Sequence, residues 1–144
     1  MSTFVFQSRP DRYDLRDKII PDTIATWHAT RYRSEMKLGD LVLFWMSGDE
    51  RLRGIYGWGV ISSQPYVKEG WESHGVDVTY KVAFKKPIFS KSIQADSSLS
   101  SLLIFRAPQA TNFLIPYDQA KKLVRLIKSR GEVIISPREL IDYE

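Results

Sequence analysis

The most informative absence in this 144-residue sequence is that of cysteine. Without cysteine there are no disulfides, thiolate zinc sites, iron–sulfur clusters or cysteine nucleophiles. Long apolar runs are also lacking, since no segment approaches the ~20 residues that a membrane-spanning helix needs. The N-terminal segment has neither the basic start nor the apolar stretch of a signal peptide. We therefore expect a cytoplasmic protein that does not contact a membrane.

Histidine is scarce as well, and His28 and His74 lie far apart in the sequence. No H-x-x-x-H or H-E-x-x-H spacing is present, which argues against a catalytic zinc site. Neither histidine accompanies a nucleophile-elbow sequence, and no Walker A pattern occurs. The glycine-rich stretch from Gly54 to Gly59 lacks the G-x-G-x-x-G order of dinucleotide-binding loops. The sequence therefore predicts no cofactor, no metal and no enzymatic activity.

Aromatic and basic residues, by contrast, are plentiful. The formal net charge is +4, and the chain has four Trp, seven Tyr and seven Phe. Basic residues cluster from Lys81 to Lys91 and again from Lys121 to Arg130. Such clusters fit either solvated faces or a nucleic-acid footprint, and aromatic rings on which bases can stack add to the second interpretation. Length and composition predict one globular domain spanning residues 1–144.

The pattern of apolar residues predicts interspersed strands and short helices. Leu41 to Met46 is apolar on both faces, so this strand should be covered on both sides. Val76 to Phe84 has an apolar residue at every second position, expected on one face, and Pro87 should close the strand. The other predicted elements are strands at Thr3–Gln7, Gly54–Ser62 and Phe113–Ile115, a long helix at Tyr117–Ser129, and short helices at Tyr13–Ile20, Ser34–Lys37, Ser98–Phe105 and from Ser136 onward. This order predicts an α+β fold: a curved mixed sheet or small barrel flanked by short helices.

Two segments combine residue types that suit a binding pocket. In the first, Gly54 to Ile61, Tyr56 and Trp58 are expected on one face of a strand and two glycines on the other. Those glycines indicate either close packing in a barrel wall or space for a flat ligand. The second, Trp27 to Arg31, has a large ring, a polar ring and a fixed cation, which are the groups that a nucleobase pocket uses. A buried core tryptophan followed by a turn is the alternative interpretation.

Several short segments follow one another in a distinctive order. They are QSRP from Gln7, W-x-x-x-R from Trp27, KLGDLVLFW-x-SG from Lys37, RGIYG from Arg53, S-x-x-PYV from Ser62 and ATNFLI from Ala110. This order resembles the EVE domain of the PUA-like superfamily and is similar in outline to the YTH domains. The resemblance spans most of the chain, from Thr3 to Lys128.

The resemblance implies a PUA-like barrel flanked by helices, with a pocket for a modified base of DNA or RNA. Trp27 would form a cage wall, His28 and Ala29 would offer backbone groups to the base edge, and Arg31 would face a phosphate or line the pocket. Trp71 and Tyr80 are the two candidates for the second ring. The full set of implied ligand-binding residues is Ser8, Arg9, Trp27, His28, Ala29, Arg31, Phe44, Trp45, Ser47, Trp71 and Tyr80.

The resulting hypothesis is a non-catalytic module that binds a modified base, such as a methylated one, in DNA or RNA. A second hypothesis is a small enzyme that acts on a nucleotide or another small molecule in the same pocket, with an acid such as Asp40 or Asp49. A third is a protein-interaction module within a larger system. No paired catalytic signature supports the second.

Overall fold

The computed structural model describes residues 1–107 and 109–134, which form a curled sheet with short helices around it. In chain order the strands are β1 (Thr3–Ser8), β2 (Ile24–Ala29), β3 (Leu41–Met46), β4 (Gly54–Ile61), β5 (Tyr66–Val67), β6 (His74–Phe89) and β7 (Asn112–Ile115). The α-helices are α1 (Ser90–Gln94) and α2 (Tyr117–Ser129), and the 3-10 turns lie at Leu15–Asp17, Arg33–Glu35 and Leu103–Phe105.

The strands form one mixed sheet in the order β2-β6-β4-β3-β1-β7, with β5 pairing β6. Strands β1 and β3 run parallel, and the other neighbours pair antiparallel. The predicted α+β class with a curved mixed sheet is therefore confirmed. Within the described residues, neither helix is long and apolar enough to cross a membrane.

The two faces of the sheet bury two separate cores, and β3 supplies both. Every residue of β3 is buried, as expected for a strand covered on both sides. We call the first cluster the aromatic core; it contains Phe4, Phe6, Trp27, Phe44 and Tyr80. The second, the helix core, contains Val5, Trp45, Trp58 and the buried stripe of α2, which consists of Ala120, Leu123, Val124 and Ile127. Burial of each large aliphatic side chain contributes about 1.5–3 kcal/mol to the attachment of α2.

Strand β6 differs from its sequence prediction in length and in facing. It continues past Pro87 to Phe89. The β4–β6 register skips from Ala83 to Ile88, so no residue of β4 needs a hydrogen bond from the proline, which has no N–H to donate. Its apolar residues do not share one face. Trp58 pairs Val82 and Gly59 pairs Tyr80, so one extra residue reverses the alternation. Tyr80 thus enters the aromatic core and Phe84 the helix core.

A similar irregularity separates Tyr56 from Trp58, which the alternation placed on one face. Phe44 pairs Gly57 and Trp45 pairs Ile55, so Tyr56 is an extra residue and its ring enters the aromatic core, whereas Trp58 lies in the helix core. The glycines have a structural explanation. A Cβ at Gly59 would collide with the Thr79 carbonyl oxygen and approach Phe44 to 3.1 Å.

The short helices were predicted less accurately than the strands. The segment Tyr13–Ile20 contains only the 3-10 turn Leu15–Asp17, and Ser98–Phe105 only the turn Leu103–Phe105. The expected helical turn at Ser34–Lys37 is a 3-10 turn at Arg33–Glu35. The helix predicted from Ser136 onward lies outside the described residues.

Asn112 joins the two edge strands of the curled sheet. Its side chain is fully buried in β7 and reaches the end of β2. Its Oδ1 accepts hydrogen bonds from the backbone N–H of Thr30 at 2.8 Å and of Arg31 at 3.3 Å, and its Nδ2 donates to the His28 carbonyl at 2.9 Å. One amide therefore closes the seam where β2 and β7 do not pair through their backbones.

Asn112→Leu should lower the free energy of unfolding by about 2–4 kcal/mol. The change keeps the branching and the number of side-chain heavy atoms but leaves buried backbone groups without partners, at about 1–3 kcal/mol each. Chemical denaturation would measure the loss, with Gln119→Leu as a control because Gln119 makes its hydrogen bonds near the surface of α2. Wild-type stability in Asn112→Leu would contradict this role.

Candidate nucleic-acid interface

A pocket of about 390 Å³ opens in the seam between the end of β1 and the unpaired edge of β2. We call it the seam pocket. It is lined by Gln7, Ser8, Arg9, Arg12, Tyr13, Thr26, Trp27, His28, Trp71 and Thr111. Five of these, namely Ser8, Arg9, Trp27, His28 and Trp71, belong to the set implied by the sequence. The other five were not anticipated, since they meet only when the sheet curls.

Trp27 forms the floor of the seam pocket and is held firmly in the aromatic core. Its indole N–H donates to the Tyr80 hydroxyl at 3.0 Å, and its ring centroid lies 5.3 Å from that of Phe44. The Tyr80 and Tyr13 hydroxyls are 2.9 Å apart and share a hydrogen bond. Burial raises the pKa of Tyr80, so its hydroxyl keeps its proton for the hydrogen bond with Tyr13 while its oxygen accepts from Trp27. Tyr80 and Phe44 thus support the floor from below and do not line the pocket.

His28 and Trp71 form an aromatic wall at the pocket's outer side. Their rings are stacked, with centroids 4.0 Å apart and an interplanar angle of 27°. His28 Nδ1 shares a hydrogen bond of 3.0 Å with the Ser73 hydroxyl, which fixes the imidazole plane. Of the two candidates for a second ring, Trp71 is the one that lines the pocket.

Ser8 presents a buried hydroxyl that has no hydrogen-bond partner among residues 1–107 and 109–134. The residue is only 8% exposed, and it follows Phe4 and Phe6 on the strand face that points into the aromatic core. An unsatisfied buried polar group costs about 1–3 kcal/mol. Native proteins keep few such groups, so this one requires a structural or functional explanation.

The edge of β2 adds backbone polar groups to the seam pocket. In an antiparallel pair, alternate residues direct both N–H and C=O to the same side. The His28 carbonyl points across the seam, because it accepts from Asn112. The N–H of His28 and the N–H and C=O of Thr26 therefore point the same way, toward the pocket that both residues line. Ala29, which was expected to offer such groups, pairs His74 of β6 and is fully buried.

The rim of the seam pocket is basic. Arg9 makes two hydrogen bonds to the exposed carboxylate of Asp11, at 2.9 and 3.2 Å. The Arg12 guanidinium is exposed and makes no hydrogen bond or ion pair with any residue in the described part of the chain. No carboxylate is among the lining residues. The rim can therefore attract an anion such as a phosphate.

The remaining implied residues lie away from the pocket lining. Trp45 packs in the helix core, with its ring 5.8 Å from that of Phe105. Ser47 donates from its N–H and its hydroxyl to the Ser8 carbonyl, at 2.8 and 3.1 Å, and so positions Ser8 from behind. Arg31 is exposed, and its backbone N–H is bound by Asn112.

The acids considered for catalysis serve as structural caps elsewhere. Asp40 accepts from the backbone N–H groups of Ser2 at 3.1 Å and of Lys37 at 2.9 Å. Asp49 accepts from the Arg51 N–H at 2.8 Å, and this hydrogen bond lowers its pKa. Neither carboxylate lines the seam pocket. Across the described residues, no three His, Asp or Glu side chains group in a way that could hold a metal ion.

Comparison with known proteins gives one family. The EVE domain family matches residues 2–126, as the order of sequence motifs implied. No curated protein sequence matches the chain.

Solved structures share the fold at low identity. A protein from Leishmania major has a TM-score of 0.72 at 15% identity and covers 92% of this chain and 98% of its own. Rpa0253 from Rhodopseudomonas palustris has a TM-score of 0.72 at 16% identity and covers 92% and 97%. Human THYN1 protein, solved in complex with 5-methylcytosine-containing DNA, has a TM-score of 0.65 at 18% identity and covers 94% and 100%. These likenesses confirm the PUA-like fold.

Tyr80→Phe should destabilise the protein by about 1–3 kcal/mol, because it leaves the buried Trp27 N–H without an acceptor. Thermal or chemical unfolding followed by tryptophan fluorescence would measure the change. Tyr117→Phe is the matched control, since Tyr117 is 45% exposed on α2. Equal stability of the two variants would show that the hydroxyl does not hold Trp27.

Proposed function

This chain belongs to the EVE domain family, and on that premise we propose that it is a non-catalytic module that binds a modified base of a nucleic acid in the seam pocket. The base would leave its own stack and insert beside Trp27, with Trp71 and His28 at the outer wall. The observation that carries the proposal is the Ser8 hydroxyl, which has no partner among the described residues and lies in a pocket that also has aromatic walls and an unpaired strand edge.

The size and lining of the seam pocket suit one flat heterocycle. Its volume of about 390 Å³ falls within the ~300–1,000 Å³ typical of small-molecule sites. Stacking on an aromatic ring contributes about 1–3 kcal/mol per base and does not depend on base identity. A buried methyl group adds only about 0.8 kcal/mol. Selectivity must therefore come from the few polar groups in the pocket.

Those polar groups can read the edge of a base. The N–H and C=O of Thr26 and the N–H of His28 offer two donors and one acceptor, and the Ser8 hydroxyl can donate or accept. A site built from such groups discriminates strongly, because a ligand that lacks the matching atoms leaves them buried without partners. Asn112 fixes the position of His28, so the array is arranged before the ligand arrives.

The basic rim supports a polymer as the source of the base. Arg12 is unpartnered among described residues, and Arg9 is held only by an exposed pair with Asp11, so both can bind phosphates that flank the inserted base. Phosphate contacts make binding sensitive to salt. Flipping a base costs a few kcal/mol in a duplex and little in a single strand, so single-stranded substrates should bind at least as well.

The first ligand to test is 5-methylcytosine in DNA, because the DNA in the human THYN1 complex contains this base. Labelled duplex and single-stranded DNA, and single-stranded RNA, would be titrated with and without that base. We expect tighter binding to the modified oligonucleotides. Trp71→Ala should weaken it about five- to hundredfold, the equivalent of ~1–3 kcal/mol of stacking. Trp27 is a poor choice for this test, because its ring belongs to the aromatic core.

Two further variants complete the design. Ser8→Ala should weaken binding and leave stability unchanged or slightly higher, since its hydroxyl has no partner in the described protein. Tyr117→Ala removes an exposed ring from α2 and should have no effect on binding. If wild type and Trp71→Ala bind every oligonucleotide equally, the proposed function is wrong. Turnover of a nucleotide substrate would favour the enzymatic hypothesis.

A further inference from the structure

A second concave surface, which the proposed function does not use, lies between the β3–β4 loop, α1 and the C-terminal end of α2. We call it the loop groove. Its volume is about 670 Å³, and it is lined by Glu50, Arg51, Phe89, Lys91, Ser92, Ala95 and Arg130. Three cations and one acid face this groove, so its lining carries a net positive charge.

The cations of the loop groove are available to a ligand. Lys91 and Arg130 make no ion pair or side-chain hydrogen bond with any residue of the ranges 1–107 and 109–134. Arg51 is 91% exposed at its side chain and contacts Asp49 at 3.3 Å. Exposed pairs of this kind are weak, so Arg51 can exchange Asp49 for a phosphate.

The fold itself creates this cluster from distant sequence segments. Lys91 ends the first basic stretch of the sequence and Arg130 ends the second. Residues of the first stretch lie close to the segment that follows α2. The Glu132 carboxylate accepts hydrogen bonds from the backbone N–H groups of Lys85 at 3.0 Å and Lys86 at 3.2 Å. Convergence of cations from two segments on one concavity favours an anion site over two unrelated solvated faces.

The loop groove and the seam pocket lie at the same end of the sheet. Ser8 lines the pocket and its carbonyl accepts from Ser47, the first residue of the β3–β4 loop. The same loop ends at Arg53, whose carbonyl accepts from Ser90 N–H at 2.8 Å, next to Lys91. Ser8 of the pocket is therefore joined to the groove by hydrogen bonds to Ser47 and by the few residues of the β3–β4 loop.

We infer that the loop groove binds backbone phosphates of the nucleic acid whose modified base occupies the seam pocket. The inference rests on the proposed function for the identity of the polymer. Strands of DNA carry a negative charge at each phosphate, and cations on one protein edge position such a strand without reading its sequence. The groove thus contributes affinity and orientation, and the pocket contributes base selectivity.

The test compares Lys91→Gln/Arg130→Gln with a control of equal charge change, Lys37→Gln/Lys81→Gln. Lys37 and Lys81 are exposed and line neither concavity. Each protein is titrated with a long duplex, modified or unmodified at one central cytosine, over a series of salt concentrations. For the groove variant, the slope of log K against log[salt] should fall by about 0.9 for each phosphate that the variant no longer neutralises. Its preference for the modified duplex should stay as in wild type.

Each outcome decides one of the two proposals. Equal slopes for the groove variant and the control overturn the groove, whatever the base preference. A wild-type protein that binds both duplexes equally overturns the base-binding pocket, yet a reduced slope in the groove variant would still support the groove. Absence of any binding to nucleic acid overturns both. Circular dichroism on both double variants would verify that they fold.

Discussion

The fold and the site both depend on how the seam between β2 and the β1–β7 edge is closed. A sheet that curls until its edges meet must satisfy the backbone groups on both edges or leave them accessible. Here Asn112 satisfies them at one point, with three hydrogen bonds to the segment from His28 to Arg31. Beyond that point the edges stay apart, and the seam pocket occupies the gap. The same incomplete closure that needs a buried amide for stability leaves strand-edge groups for a ligand.

The aromatic core gives the pocket a fixed floor. Trp27 contacts Phe6, Tyr13 and Phe44 with ring centroids 5.3–6.1 Å apart, and its N–H is bound by Tyr80. A floor so constrained loses little conformational freedom when a base stacks on it, which favours affinity. The outer wall is built differently. Trp71 lies in the β5–β6 loop, where its ring stacks on His28 and has the Lys68 ammonium 6.0 Å away, and its backbone N–H donates to the Lys68 carbonyl at 3.0 Å.

Sequence patterns predicted the local features of this fold well. The apolar run of β3 and the apolar stripe of α2 can each be recognised within a single element. Their prediction does not require knowledge of which elements pack beside them. The predicted sheet faces of Tyr56 and Phe84 were wrong, because the irregularities that reverse the alternation arise from pairing with adjacent strands. Strand β2 was missed because only two of its six residues, Trp27 and Ala29, are buried, so its sequence carries no regular apolar alternation.

The residues of the candidate site also fall into two groups, those that the sequence predicted and those that only the tertiary structure brings together. Ser8, Arg9, Trp27, His28 and Trp71 came from the motif order or from a ring in a loop, and all line one pocket. Arg12, Tyr13 and Thr26 carry no motif signal, and Gln7 and Thr111 lie in the quoted motifs but were not assigned to the site. They reach the pocket because the curl brings the turn after β1 against the edge of β2. A further clue, the Ser8 hydroxyl without a partner in the described part of the chain, exists only in three dimensions.

The central claim is that the open part of the seam receives a base, and amide NMR during titration with a modified single-stranded oligonucleotide tests it most directly. The backbone N–H signals of Thr26 and His28 should shift together with saturation, and that of Ser8 should follow. The Asn112 side-chain NH₂ signal should remain protected, because the closed end of the seam is not part of the pocket. Saturable shifts elsewhere, with Thr26 and His28 unchanged, would contradict the account.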